Sequence, residues 1–129
     1  ARERERLTVV DDQRGNPTSA TDIAAALAVI ARRLVEDADA PLGTYHFVNS
    51  GEATWCGFAR EIFAQAGAAG HKVPVVEAIP TSAYPTPARR PANSRLDTAK
   101  LTRDFGIEPR PWRAAVSDVV ATLLADQTD

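Results

Sequence analysis

The segment that most limits how this chain can fold is Asp11 to Asp22, DDQRGNPTSATD, which separates a short apolar run from a long alanine-rich one. Gly15 permits positive φ and Pro17 fixes φ near about −65°, so Gly15, Asn16 and Pro17 predict a sharp turn. Thr18, Ser19, Thr21 and Asp22 follow, and each is a competent helix N-cap. The chain must therefore leave a strand, cross a polar corner and enter a helix. Gln13, Arg14, Asn16 and Thr18 crowd donors and acceptors there, beside the outward-pointing N–H groups of the helix start. Such a corner suits an anionic or hydroxyl-rich ligand. The same residues also satisfy a capped, solvated loop, so both readings stand.

On either side of this corner, periodicity predicts the elements. Leu7 to Val10 reads as a strand. Ala1 to Arg6 reads as the last turns of a helix, because its charges alternate in sign. Ile23, Leu27, Ile30 and Leu34 fall at helical spacing, which predicts a helix over Ile23 to Val35 with one apolar face. Thr44 to Asn49 (TYHFVN) predicts a short strand buried between layers, with His46 a hydrogen-bonded core residue rather than a catalyst. Thr54 should cap a helix over Trp55 to Ala66 that Gly67 stops. Lys72 to Pro80 predicts a strand with Pro74 at its start or on an edge. Asp97 should cap a helix from Thr98 to Phe105, ended by Gly106. Pro111 should open a last helix, with Trp112, Val116, Val119 and Leu123 on one face. Trp55, Phe58, Ile62 and Trp112 are expected in the core.

Thr81 to Asn93, TSAYPTPARRPAN, is stiffened by Pro85, Pro87 and Pro91 and carries Arg89 and Arg90 at its centre. A stiff loop loses little entropy on ordering, and a guanidinium fork held by it matches a phosphate. The competing reading is a surface crossover in which Arg90 pairs with an acidic neighbour such as Asp97.

Bulk properties narrow the function classes. A chain of 129 residues is one domain or part of a larger protein. Its formal charge of −2 gives no reason to expect a nucleic-acid or membrane partner. Cys56 is the only cysteine, so no internal disulfide forms and a reducing, cytoplasmic setting is expected. One cysteine and two separated histidines give no zinc spacing. No run is long and apolar enough to span a membrane, and no signal peptide is visible. The chain opens on Ala1 in charged sequence, as a fragment does.

Three stretches, read in order, carry a family resemblance: DDQRGNPTSATDIA, GTYHFVNSGEATWCGFA, and YPTPARRPANSRLDTAKL followed by FGIEPRPW. Together they resemble the C-terminal part of the dTDP-4-dehydrorhamnose reductases, from about Leu7 to the last helix. The combination of DQ-x-G-x-PT with RP-x-NS makes the resemblance specific. It implies an α/β fold: the C-terminal substrate-binding portion of an extended short-chain dehydrogenase, of the NAD(P)-binding Rossmann-like class, with helices and a few short strands. The implied reaction is NADPH-dependent reduction of the 4-keto group of dTDP-4-dehydrorhamnose, giving dTDP-rhamnose. Gln13, Gly15, Pro17, Thr18, Arg90 and Asn93 are the expected substrate-binding residues. Arg90 is the arginine that falls in the Arg-Pro-x-Asn-Ser pattern, and it should meet the diphosphate.

Two parts of the family pattern are missing. The glycine-rich nucleotide loop is absent, and so is the Tyr-x-x-x-Lys pair, since Asn49 and Ala88 stand four residues after Tyr45 and Tyr84. No catalytic or cofactor-binding residue is therefore expected within this chain. NADPH should be bound by an N-terminal Rossmann half, the implied partner, and the chain alone should be inactive. A homodimer and a magnesium ion are both open, because family members can form metal-linked dimers; no ligand is assigned. The competing function is a non-catalytic binding or regulatory module of the same fold, like a regulatory subunit of methionine adenosyltransferase. A reductase or epimerase of another nucleotide sugar is a third reading.

Overall fold

A computed structural model describes residues 5–126. The order is β1 (Arg6–Val10), β2 (Arg14–Gly15), α1 (Ala20–Glu36), β3 (Ala53–Thr54), α2 (Trp55–Ala68), β4 (Val75–Ile79), a single 3-10 turn (Thr81–Ala83), α3 (Ala99–Phe105) and α4 (Trp112–Ala125). β1 and β4 pair in parallel, from Arg6 opposite Val75 to Val10 opposite Ile79. β2 and β3 form a second, antiparallel pair. Arg6 thus belongs to a strand and Glu5 to a bend, not to a helix end; Ala1 to Arg4 of that expected helix lie outside the described residues.

α2 is the central element, packing on β1, β4 and α4. Its partner face on α4 supplies the main core: Trp112, Val116 and Val120, with Phe58, Ile62, Ala53 and Leu124 packed against it. Phe58 meets Trp112 edge-to-face at 6.2 Å between ring centroids, a favoured aromatic geometry. The buried stripe of α4 is rotated from the expected one. Val120 is buried, while Val119 and Leu123 are exposed. Pro111 stands at the N-cap of α4 rather than at its first helical position, because its extended ψ of 136° lets Ser50 bridge to it.

α1 begins earlier than its apolar pattern, at Ala20, and Ser19 is the cap: its hydroxyl accepts from the Asp22 amide at 3.1 Å. The predicted apolar face forms but is not covered within the described residues. Ile23, Leu27 and Leu34 are all exposed, and only Ala26 of the helix is buried.

Three further expectations change. Thr44 to Asn49 forms no strand, and His46 is exposed rather than in the core. Gly67 does not stop α2. The helix runs to Ala68, and Gly70, at φ 86°, turns it. The His71 amide bonds to the Ala66 carbonyl and the Gly70 amide to the Gly67 carbonyl, the two bonds of a Schellman closure. Trp55, expected in the core, is 59% exposed. Among the described residues, no helix is long and apolar enough to cross a membrane.

Candidate functional site

The corner after β1 is held by its own polar groups. The Asp12 carboxylate accepts from the Thr81 amide at 3.0 Å and from the Thr81 hydroxyl at 2.5 Å. Those bonds, the hydroxyl's first, hold its pKa below the usual carboxylate value. Gln13 Nε2 donates to the same hydroxyl oxygen at 3.0 Å. Asp11 accepts from the Thr54 hydroxyl at 2.5 Å, and that oxygen in turn accepts from the Gly57 amide as the cap of α2. The corner is therefore tied at once to the start of α2 and to the turn after β4.

β2 then brings the two distant motifs together. The Arg14 amide donates to the Ala92 carbonyl, and the Arg14 carbonyl accepts from the Ser94 amide, each at 2.9 Å. Gly15 is not in a turn and has no positive φ. Its reason for being glycine is closeness: a Cβ there would stand 3.2 Å from Ser94 Oγ. Asn16 completes the lacing, donating to the Gly51 carbonyl at 2.7 Å and accepting from the Leu96 amide at 2.9 Å.

Two amides at the mouth of α1 are already committed to side chains of the chain itself. The Ser19 amide donates to Asn49 Oδ1 at 2.9 Å, and the Asp22 amide is taken by the Ser19 hydroxyl. Asn49 is fully buried and also donates to Asp22 at 2.7 Å. Arg110 Nε donates to both Asp22 oxygens, at 3.0 and 2.9 Å, and its Nη1 reaches Asp118. Burial acts to raise the Asp22 pKa, but hydrogen bonds from Arg110, Asn49 and Ser19 outweigh it, and the net shift is downward. With an acidic carboxylate in its first turn, this helix end disfavours an anion. The capped-loop reading describes the Ser19 cap; open space lies beside it.

That space is two adjoining cavities. The first, about 410 Å³, is lined by Gln13, Gly15, Asn16, Pro17, Thr18, Thr54, Trp55, Phe58 and Ser94 among others. The second, about 660 Å³, adds Thr8, Val10, Tyr84, Thr86, Arg90 and Pro91 and shares Gln13, Trp55 and Ser94 with the first. Four expected residues, Gln13, Gly15, Pro17 and Thr18, thus line one cavity, and Arg90 lines its neighbour. Thr18 spends its hydroxyl locally, donating to the Asn16 carbonyl at 2.8 Å and accepting from the Asn49 amide at 3.3 Å. Asn93 faces a different, open hollow with Glu52 and Arg95. Its Oδ1 accepts from the Arg95 amide and Nε, so it ties the loop to its own backbone. Arg95 and Arg14 both pair with Glu52, whose pKa is lowered first by the Arg95 hydrogen bond. Asp97 does not pair with Arg90; it accepts from the Ala99 amide at 2.8 Å, one residue before the N-cap of α3, which is Thr98 and not the expected Asp97, so the helix opens at Ala99.

Trp55, Tyr84, Thr54 and Ser94 are lining residues that the sequence pattern did not single out. For Trp55 a signal existed. It is the first helical residue after the cap, and helical side chains lean toward the N-terminus. A residue there overhangs the helix end instead of joining the face below.

Among the described residues, no group of three His, Cys, Asp or Glu side chains could hold a metal ion. A dinucleotide cradle needs glycines opening onto free amides at a helix start. Here the Ser19 and Asp22 amides are taken by side chains, and Gly15, Gly51 and Gly57 face the chain's own Ser94, Trp112 and Thr54 side chains.

Comparison with known proteins gives a consistent result. The family model described as "RmlD substrate binding domain" matches residues 1–125. A dTDP-4-dehydrorhamnose reductase of Sinorhizobium fredii is 44% identical over 124 residues, which are 95% of this chain and 42% of that protein. The one of Burkholderia thailandensis is 45% identical, over 97% of this chain and 44% of its own. Among solved structures, the dTDP-4-dehydrorhamnose reductase of Clostridium acetobutylicum superposes with a TM-score of 0.78 at 31% identity, covering 94% of this chain and 40% of that one. The Bacillus anthracis reductase, solved in complex with NADP, gives a TM-score of 0.68 at 32% identity, covering 90% and 38%. The chain spans about two fifths of the length of the relatives it matches. The mixed helix-and-strand fold is that of the corresponding part of these reductases. On its sequence and its fold, the chain belongs to the RmlD substrate binding domain family.

Proposed function

We propose that this chain is the sugar-nucleotide side of an NADPH-dependent reductase that acts on dTDP-4-dehydrorhamnose. The observation that carries the reading is the pairing of the two cavities. A cavity at Gln13 to Thr18, with an apolar wall that includes Trp55 and Phe58 and polar groups of Gln13, Asn16 and Ser94, adjoins one that presents Arg90 from a stiff loop. A dTDP-sugar has the same two parts, a hydroxyl-rich ring and a diphosphate. Gln13, with its amide fixed on Thr81, orients the ring, and Arg90 meets the phosphates with its planar fork. Gly15 and Pro17 shape the wall, Thr18 holds the loop, and Asn93 fixes the direction in which Arg90 emerges.

NADPH, when bound, supplies the hydride, and in this reading it sits on a nucleotide-binding half of the same protein. That half also supplies the proton donor, since this chain has no Tyr-x-x-x-Lys pair. The uncovered apolar side of α1, with Ile23, Leu27 and Leu34, gives such a half a surface to pack against. The chain alone accordingly reduces nothing: with NADPH and dTDP-4-dehydrorhamnose, the absorbance of the reduced cofactor should stay at the buffer blank. Turnover above the blank removes this division of labour.

The assignment of Arg90 is tested in the full-length reductase. Arg90→Lys should weaken dTDP and dTDP-sugar alike, because a point charge replaces a bidentate fork, with melting near wild type. A fall in melting temperature with unchanged dTDP affinity would make Arg90 a loop-holding residue instead.

A further inference from the structure

Gln13 lines both cavities, and its carboxamide has two unlike ends: Nε2 donates and Oε1 accepts. Which end a ligand meets is decided outside the cavities, at Thr81. The Thr81 hydroxyl stands 2.5 Å from Asp12 Oδ1, and the Thr81 amide donates to both Asp12 oxygens at 3.0 Å. An ionised carboxylate only accepts, so the single proton of the hydroxyl points to Asp12. Charge-assisted bonds of this kind are the strong ones, and they keep the Asp12 carboxyl ionised by lowering its pKa. With its proton committed, Thr81 Oγ has only lone pairs to offer. The end of Gln13 that lies 3.0 Å from it is therefore the donor, Nε2. A flipped amide would set two acceptors, Oε1 and Oγ, against each other. The carbonyl Oε1 is thus the end of the amide left to the cavities.

We infer that Asp12 is a positioning residue: acting through the Thr81 hydroxyl, it fixes the sense of the Gln13 amide, so that Gln13 enters the site as an acceptor and reads a hydroxyl of the ligand. The inference rests on the proposed dTDP-sugar function and adds to it the polarity of one contact and the residues that set it. A ketone oxygen and the oxygens of a diphosphate only accept, so Oε1 repels them, whereas a sugar hydroxyl is a donor that it takes. The 4-dehydrorhamnose ring carries such hydroxyls at C2 and C3. The fixed amide accordingly turns that edge of the ring toward Gln13 and keeps the ketone and the phosphates away from it. Asp12 and Thr81 do not line either cavity, so both act through Gln13 and neither touches the ligand.

The test uses the full-length reductase. Thr81→Val keeps the side-chain shape and the backbone bond to Asp12 but removes the hydroxyl. It should raise KM for dTDP-4-dehydrorhamnose by about 2- to 12-fold, the range of one hydrogen bond, with kcat, dTDP affinity and melting temperature unchanged. Thr81→Ser should restore KM. Asp12→Asn, whose amide can donate to Oγ and release the hydroxyl proton, should raise KM in the same way, and it carries the test if Thr81→Val does not fold. Fluorine accepts but does not donate. Of the two substrate analogues with fluorine in place of the 2- or the 3-hydroxyl, one should show a raised KM with wild type, and that penalty should vanish in Gln13→Ala. Wild-type KM for both analogues overturns the acceptor role. A Thr81→Val enzyme with unchanged KM, or one that loses dTDP and the dTDP-sugar alike, overturns the positioning role and leaves the sugar-nucleotide function standing. A wild-type reductase that binds neither dTDP nor the dTDP-sugar overturns both.

Discussion

At the scale of single residues, the site depends on side chains whose polar atoms are partly committed. Gln13 is anchored through Nε2 on Thr81, so its amide is oriented before any ligand arrives. Pre-orientation of this kind reduces the cost of ordering on binding. In the full-length reductase, Gln13→Ala should lower kcat/KM by at least roughly tenfold, about 1.4 kcal/mol, with melting unchanged; unaltered kinetics would return the side chain to a purely local role. Gly15 shows how a residue is legible for a wrong reason. The sequence marks a glycine in a polar corner, and free φ is the usual explanation. The actual cause, the approach of Ser94 to within 3.2 Å of where a Cβ would stand, comes from a segment some eighty residues away. Asn49 and Arg110 were not legible at all. Their importance arises from meeting Asp22 in space, and neither spacing nor composition records that meeting.

The Asp22 cluster makes a pH prediction with a definite sign. Its folded pKa lies below the ordinary carboxylate value, so over the acid range the unfolded chain binds more protons than the folded one. The stabilisation it gives is complete above the unfolded pKa of about 3.9 and is lost as pH falls through the lower folded value. Asp22→Asn should melt below wild type at neutral pH, and the gap should close as the pH is taken from about 5 to below 3. A gap that is constant with pH would show that the carboxylate charge is not what Arg110 and Asn49 hold.

At the scale of elements, the capped helices were the readable part. Thr54 before α2 and Gly106 after α3 stand where the pattern puts them, because caps are local chemistry. Gly67 and Gly70 compete for one role within a few residues, and only the packing of Val73 against Gly67 and the bonds from Gly70 and His71 decide for the latter. Gly70→Ala should cost about 1–2 kcal/mol, the left-handed penalty for a residue with a Cβ, whereas Gly67→Ala, whose Cβ would meet Val73 at an ordinary 3.7 Å, should be neutral or stabilising. Denaturant unfolding of the two variants checks this; equal losses would place the turn elsewhere. The α2–α4 contact is the main core, so Phe58→Ala should cost about 3 kcal/mol, the low end for a large aromatic that is only half-buried. A loss under about 1 kcal/mol would mean that Trp112 repacks without it. The stretch Thr44 to Asn49 was misread because β propensity reports a fit to a pleated surface. Among the described residues no strand pairs with it.

For the whole molecule, two loops that lie far apart in the chain are laced by β2 into one cleft, and the helices serve to hold that cleft open. The motifs themselves were visible in the sequence, but their contact was not, since it depends on Arg14 pairing with residues 92 to 94. The uncovered side of α1 was equally hidden, because an amphipathic pattern states which face is apolar and not whether anything covers it. The cleft's role as the nucleotide-sugar site is tested most directly by mapping backbone amide and indole shifts of the chain by NMR as dTDP is added. The account predicts saturable shifts centred on Gln13, Gly15, Trp55, Arg90 and Ser94, with Leu27 and Leu34 of α1 unmoved. Saturable shifts centred on α1, or on the hollow around Asn93 and Glu52 with Gln13 and Arg90 still, would contradict it.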